Sequence, residues 1–119
     1  MERRCRLKGR TRFLEIRRRG QRWAHPLVVL IGLASDLPLT RCGFVVSRRL
    51  GNAVARNRIR RRLREVVRLR YLRIAPGWDL VFIARLPIRQ ADFAEIAGAV
   101  EGLLRQAGLW RPQEDRGNA

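Results

Sequence analysis

The stretch Gly43-Phe44-Val45-Val46-Ser47-Arg48-Arg49-Leu50-Gly51-Asn52-Ala53-Val54-Ala55-Arg56-Asn57-Arg58-Ile59-Arg60-Arg61-Arg62-Leu63-Arg64-Glu65 carries both periodicities from which the fold can be read. Its first part is apolar and β-prone and belongs to a strand spanning Cys42 to Ser47. Gly51-Asn52 breaks that strand, and Asn52 is a good N-cap for a helix starting near Ala53. The spacing then becomes helical. Ile59, Leu63, Val66, Val67, Tyr71 and Ile74 fall on one apolar stripe of a helix that runs to about Ile74, where Pro76-Gly77 ends it. Arg60, Arg61, Arg64 and Arg68, with Asn57 between them, form an adjoining face.

Outward from this segment the pattern alternates. On the N-terminal side, Asp36-Leu37-Pro38 reads as a turn and Leu27 to Ala34 as a β-rich central strand. Gln21 to Ala24 is a weaker third pairing segment. Thr11 to Arg19 is a short helix with Phe13 and Ile16 at i, i+3 and Gly20 placed to stop it. On the C-terminal side, Asp79 to Arg85 reads as a buried strand closed by Pro87. Asp92 to Gln106 is an amphipathic helix carrying Phe93, Ile96, Val100, Leu103 and Leu104. The order helix, strands, helix, strand, helix predicts a single-domain α+β sandwich over residues 1–110, one sheet covered by helices. Residues 111–119 are expected to be a mobile polar tail.

Composition narrows the function. The chain has 119 residues, 46% of them hydrophobic, enough for one domain with a real core. Its 27 basic residues against 10 acidic ones give a formal net charge of +17. Such self-repulsion usually reflects a polyanionic partner. Lys8 is the only lysine, and arginine's planar fork suits phosphate and bases, although a GC-rich coding bias would also favour it. The longest apolar run, Leu27 to Ala34, is too short to span a bilayer, and Met1 to Lys8 leads into no apolar signal core. A cytoplasmic protein without membrane association is expected. Cys5 and Cys42 lie far apart, and with one histidine, His25, they give no metal-ligand pattern; small apolar residues or free thiols are expected.

The arginine helix is the sharpest functional signal. Glu65 is its only acid against arginines 56, 58, 60, 61, 62, 64, 68, 70 and 73. Like charges at i, i+4 oppose helix formation by roughly 0.2–0.5 kcal/mol each. A solvated face gains nothing from that repulsion, whereas a lattice of phosphates removes it. A helix entering a DNA major groove usually follows another helix and a tight turn. Here a strand precedes it, and a broad arginine face suits structured RNA, which is read through shape and phosphate. A structural RNA-binding protein of ribosomal type and a basic DNA-binding module are the competing classes.

Nuclease chemistry in the protein is not indicated. Such chemistry needs a general base or clustered carboxylates holding metal ions. The acids Glu2, Glu15, Asp36, Glu65, Asp79, Asp92, Glu95, Glu101, Glu114 and Asp115 are scattered, and Asp92 beside Glu95 is better explained as a helix cap. His25 before Pro26 reads as a turn or surface histidine. No catalytic residue, metal ligand or bound cofactor is predicted.

The run from Phe44 to Glu65 resembles the signature of the bacterial ribonuclease P protein component. Arg56-Asn57-Arg58 matches the family's central motif and Gly51-Asn52-Ala53-Val54 its lead. Upstream, Arg6-Leu7-Lys8 with Phe13 and Gly20 matches the N-terminal helix pattern; downstream, Ile83-Ala84-Arg85 with Pro87 matches the last strand. The likeness covers nearly all of the chain up to Leu109. It implies a sheet of about four strands with a left-handed crossover, similar to domain 2 of ribosomal protein S5. That handedness runs against the usual rule. It implies an accessory subunit of an endoribonuclease that removes the 5′ leader of precursor tRNA. The catalytic centre, with its Mg²⁺ ions, would lie in an RNA subunit, and protein oligomerisation would not be required.

Two RNA surfaces follow from the resemblance. Arg48, Arg49, Asn52, Arg56, Asn57, Arg58, Arg60, Arg61, Arg64 and Arg68 would hold the catalytic RNA. Phe13, Arg17, Ile31, Ser47 and Arg85 would line a cleft for the single-stranded leader, where aromatic side chains stack on bases. The chain departs from the family in that cleft: Arg17 stands where a second aromatic is usual and Ile31 where tyrosine is common. A guanidinium plane can partly replace a stacking ring. Phe13 also lies at core spacing with Ile16, so simple packing competes with stacking at that position.

Overall fold

A computed structural model describes residues 1–112. In it a four-stranded sheet carries one helix on one face and two on the other. Helix α1 spans Arg10–Arg19, followed by strands β1 (Gln21–Ala24), β2 (Val28–Ala34) and β3 (Arg41–Val45). Helix α2 (Ala53–Arg70), strand β4 (Trp78–Ala84) and helix α3 (Phe93–Gln106) complete the order. The strands lie β1-β2-β4-β3. β4 is antiparallel to β2 and parallel to β3, so α2 rides on a crossover between two parallel neighbours. The predicted α+β sandwich and the weak third pairing segment are both present.

Alternation along the strands sorts the core into two layers. Val28 and Leu30 of β2, Cys42 of β3 and Leu80, Phe82 and Ala84 of β4 face α2 and α3. They meet Ile59, Leu63, Val66 and Val67 from α2 and Ile96, Val100, Leu103 and Leu104 from α3. On the other face Ile31 and Val81 pack under Ile16 of α1 with Leu7. Cys5 and Cys42 are free and buried, and desolvation pushes the Cys42 thiol pKa up.

Local chemistry explains the ends of the elements. The Asn52 side chain accepts from the Ala55 amide at 2.9 Å, the predicted N-cap of α2. Asp92 caps α3 in a reciprocal box with Glu95, at 2.8 and 3.1 Å. Gly20 follows α1 in extended backbone, with φ −73°, and the position needs glycine for want of room rather than for unusual torsions. A Cβ there would sit 2.6 Å from the Ile16 carbonyl oxygen and 2.7 Å from an Ile31 methyl.

Three expectations need correction. α2 stops at Arg70, and Tyr71–Arg73 form a 3-10 turn that takes Arg73 out of the α-helix. Ile74 is drawn instead into a bridge with Trp110, and Pro76 disfavours helical torsions at Ala75. The strand expected over Cys42 to Ser47 ends at Val45, because Arg48–Leu50 tighten into a 3-10 turn for which Ser47 is the preceding residue. Ile31, expected in the leader cleft, is wholly buried beneath α1 and offers no surface. Of the expected tail, 111 and 112 are described and 113–119 lie outside the described residues. Arg111 is tied to the fold: its amide donates to the Arg73 carbonyl at 2.7 Å.

Candidate nucleic-acid interface

The Asn52 cap fixes the start of α2, and burial of its apolar stripe fixes the rotation. Asn57, Arg60, Arg61 and Arg64 are thereby turned outward with Val54 around an open concavity of about 530 Å³. Arg60 donates to Asn57 Oδ1 at 2.8 Å, which holds both side chains along the helix. Among the described residues none of Arg56, Arg60, Arg61 and Arg64 forms an ion pair with an acid. Among the described residues the buried Arg56 Nε has no hydrogen-bond partner. Arg48 and Arg49 lie exposed on the 3-10 turn that leads into the helix.

Two arginines expected on this surface behave differently. Arg68 makes a two-pronged contact with Glu65, at 2.6 and 2.9 Å, and its hydrogen bonds hold the Glu65 carboxyl below its ordinary pKa. At about 100° per residue, Arg58 turns away from the concavity; its neighbour Arg62 leans toward the Ala91 carbonyl at 3.4 Å.

The second surface lies on the opposite face, where α1 covers only part of the sheet. An ion-pair cluster positions α1. The fully buried Asp79 on β4 accepts from Arg41 at 2.7 and 2.8 Å and from Arg12 of α1 at 2.7 Å. Arg12 also holds Glu15 at 2.6 Å. Burial pushes the Asp79 pKa up, but hydrogen bonds and charge from Arg41 and Arg12 outweigh it and leave the pKa lowered. Both guanidinium pKa values are raised, above all by the Asp79 hydrogen bond. Phe13 packs its ring onto Gly43, where a Cβ would come within 2.4 Å of the ring. Beyond α1, Val29, Val45 and Ile83 remain half-buried on the open sheet.

The expected cleft residues are spread along this face. Phe13 is half-buried and Arg17 exposed on α1; Ser47 and Arg85 are exposed just past the ends of β3 and β4. Arg85 reaches the His25 carbonyl at 3.4 Å, and His25 serves its own turn, Nδ1 accepting from the Leu27 amide at 3.0 Å. Val29, Val45 and Ile83 were missed by sequence reasoning. Their strand parity with Ile31 and Val81 was the available signal, but which stretch α1 leaves uncovered is not written locally.

No three His, Cys, Asp or Glu side chains come together to hold a metal among the described residues. No helix among them is long and apolar enough to cross a membrane. Among the described residues Glu2 pairs with Arg4, Glu15 with Arg12 and Arg19, and Glu101 with Arg70.

The family model described as Ribonuclease P matches residues 1–108. The ribonuclease P protein component of Roseiflexus castenholzii is 46% identical over 110 residues, 92% of this chain and 90% of that one. That of Herpetosiphon aurantiacus is 45% identical over 114 residues, 96% and 93% of the two chains. The Staphylococcus aureus RNase P protein structure superposes with a TM-score of 0.82 at 30% identity, covering 90% of this chain and 98% of that one. The Thermotoga maritima protein gives 0.79 at 30% identity, over 85% and 96%. With its arginine helix on a four-stranded mixed sheet and a match over nearly its whole described length, the chain belongs to the ribonuclease P protein family.

Proposed function

We propose that the protein binds the catalytic RNA of ribonuclease P through the α2 face and the 5′ leader of precursor tRNA along the sheet face beside α1. Bound in this way, it promotes endonucleolytic removal of the leader. The observation that carries this reading is the set of arginines around the α2 concavity, which have no acidic partner among the described residues. Phosphates supply the missing counter-charge. Arg48, Arg49 and Asn52 extend the same surface toward the helix start, where the helix dipole also favours anions.

The half-buried Phe13 and apolar strip Val29, Val45 and Ile83 give a surface on which unpaired bases can lie, flanked by Arg17, Ser47 and Arg85. Hydrolysis is assigned to the RNA and its Mg²⁺ ions, in keeping with the absence of a metal-holding cluster of acids among the described residues. The protein's share is positioning and charge neutralisation. A cytoplasmic ribonucleoprotein without membrane contact and without obligatory protein oligomers fits this role.

The test is reconstitution. Nuclease-free protein should leave precursor tRNA intact, and should accelerate its cleavage at one site when a bacterial ribonuclease P RNA is added at low Mg²⁺. Site-specific cleavage by the protein alone would refute the division of labour.

A further inference from the structure

β3 is an edge strand, and the N-terminal segment covers only its beginning. Arg6 bridges Cys42 in parallel and the Leu7 amide donates to the Cys42 carbonyl at 2.9 Å. Peptide groups alternate sides along a strand. Since Cys42 directs its carbonyl to the outer edge, Phe44 directs its N–H and C=O to the same edge, two residues on. The N-terminal chain has by then turned away through Gly9 into α1. Open strand edges of this kind offer a ready donor and acceptor.

A second concavity of about 200 Å³ lies at that place, lined by Arg6, Lys8, Phe13, Gly43, Phe44 and Arg64 among others. It contains three cations and no acid, and none of the three forms an ion pair among the described residues. The Arg64 guanidinium lies over the Phe44 ring, 6.0 Å from its centroid, and Phe44 is backed by Phe82 at 5.7 Å. Arg64 also lines the α2 concavity, so the two depressions meet at this side chain. Phe13 joins the pocket to the opposite sheet face. The volume falls below the roughly 300–1,000 Å³ that encloses a drug-sized ligand, which suits one unit of a chain passing over the edge.

We propose that this pocket seats one unpaired nucleotide of bound RNA and joins the two RNA surfaces around the β3 edge. Arg6, Lys8 and Arg64 hold its phosphate. Its base lies against the Arg64–Phe44 pair, with the Phe44 peptide edge available to it. The site deepens the proposed ribonuclease P role and rests on it for the source of the nucleotide, which is either the precursor leader or a single-stranded part of the catalytic RNA.

The first test is NMR titration of the free protein with adenosine 5′-monophosphate, and separately with inorganic phosphate, at constant ionic strength. Saturable shifts of the Gly43 and Phe44 amides, larger with the nucleotide, are expected. Shifts that avoid these amides overturn the proposal. The second test measures binding by the doubly substituted Arg6→Gln/Lys8→Gln protein, in which both side chains are exposed and the fold is not at stake. The exposed pair Arg18→Gln/Arg22→Gln is the charge-matched control. A loss of about tenfold beyond the control, for precursor but not mature tRNA, supports the site and identifies the leader as the source. The same loss for the RNA subunit alone supports it and identifies the catalytic RNA. Equal behaviour of the two variants overturns it. Failure of the unsubstituted protein to bind ribonuclease P RNA would instead count against the wider reading.

Discussion

Asp79→Asn removes one charge from the centre of the fold while nearly preserving shape, and it isolates what holds α1 on the sheet. Asp79 is fully buried, and its carboxylate accepts three hydrogen bonds from two guanidinium groups. Removing one partner of a buried ion pair costs about 3–5 kcal/mol. Arg12 and Arg41 retain 24% and 26% side-chain exposure, so both can recover some hydration, and Arg12 keeps Glu15. The expected loss at pH 7 is therefore somewhat smaller, about 2–4 kcal/mol. That corresponds to a Tm lower by about 8–16 °C for a domain of this size.

The effect must also depend on pH. Because the folded-state pKa of Asp79 is lowered, its contribution is present above the unfolded carboxyl pKa and is lost as pH falls through the folded value. The gap between wild type and variant should be full at pH 7 and narrow below about pH 4. Urea denaturation followed by circular dichroism at a series of pH values measures it. A loss under about 1 kcal/mol at pH 7, or a gap that stays constant into acid, would refute the view that this carboxylate holds α1. Precursor tRNA binding should weaken more than mature tRNA binding, since α1 carries one wall of the proposed leader surface.

The remaining expectations concern the two proposed RNA surfaces and the cap. Arg60→Gln with Arg61→Gln should weaken binding to the RNA subunit and make the salt dependence shallower by somewhat over one unit, at roughly 0.7–0.9 per lost phosphate contact. The free protein should melt at the same temperature or higher, as like-charge repulsion is relieved; an unchanged salt slope would move the interface off this helix. Phe13→Ala should cost precursor tRNA about 1–3 kcal/mol of binding relative to mature tRNA, and equal losses would assign Phe13 to packing on Gly43. Asn52→Ala should destabilise the protein by about 1 kcal/mol, read from the urea midpoint; a neutral result would mean that the α2 cap contributes nothing.

The element order was legible because each element keeps its own period, 3.6 for Ile59 to Val67 and a continuous apolar run for strands buried on both faces. The end of α2 was not. In a 3-10 turn residues i and i+3 eclipse, so Tyr71 and Ile74 stay on the stripe after the α-helix has stopped. Ile31 entered the cleft through the resemblance, as the position where tyrosine is common, and a strand buried on both sides gives no local sign that α1 covers it here. The arginine surface was readable from charge alone, whereas its subdivision depended on helix rotation and on the partner Glu65 gives Arg68. Asp79 could be seen as an acid opening an apolar strand, but its partners lie 67 and 38 positions away. The N-terminal cations became part of a pocket only through one bridge to an edge strand.

The crossover between β3 and β4 also orders events in time. β4 is the strand that both β2 and β3 pair with, yet it emerges after the arginine helix during synthesis. Until residues 78–84 are available, α2 has no finished sheet to bury its apolar stripe, and pairings between such distant segments form slowly. An RNA meeting the shorter nascent chain would find dense positive charge without the geometry that spaces it. On the proposed RNA-binding role, the α2 arginines reach their final spacing only once this late strand completes the sheet.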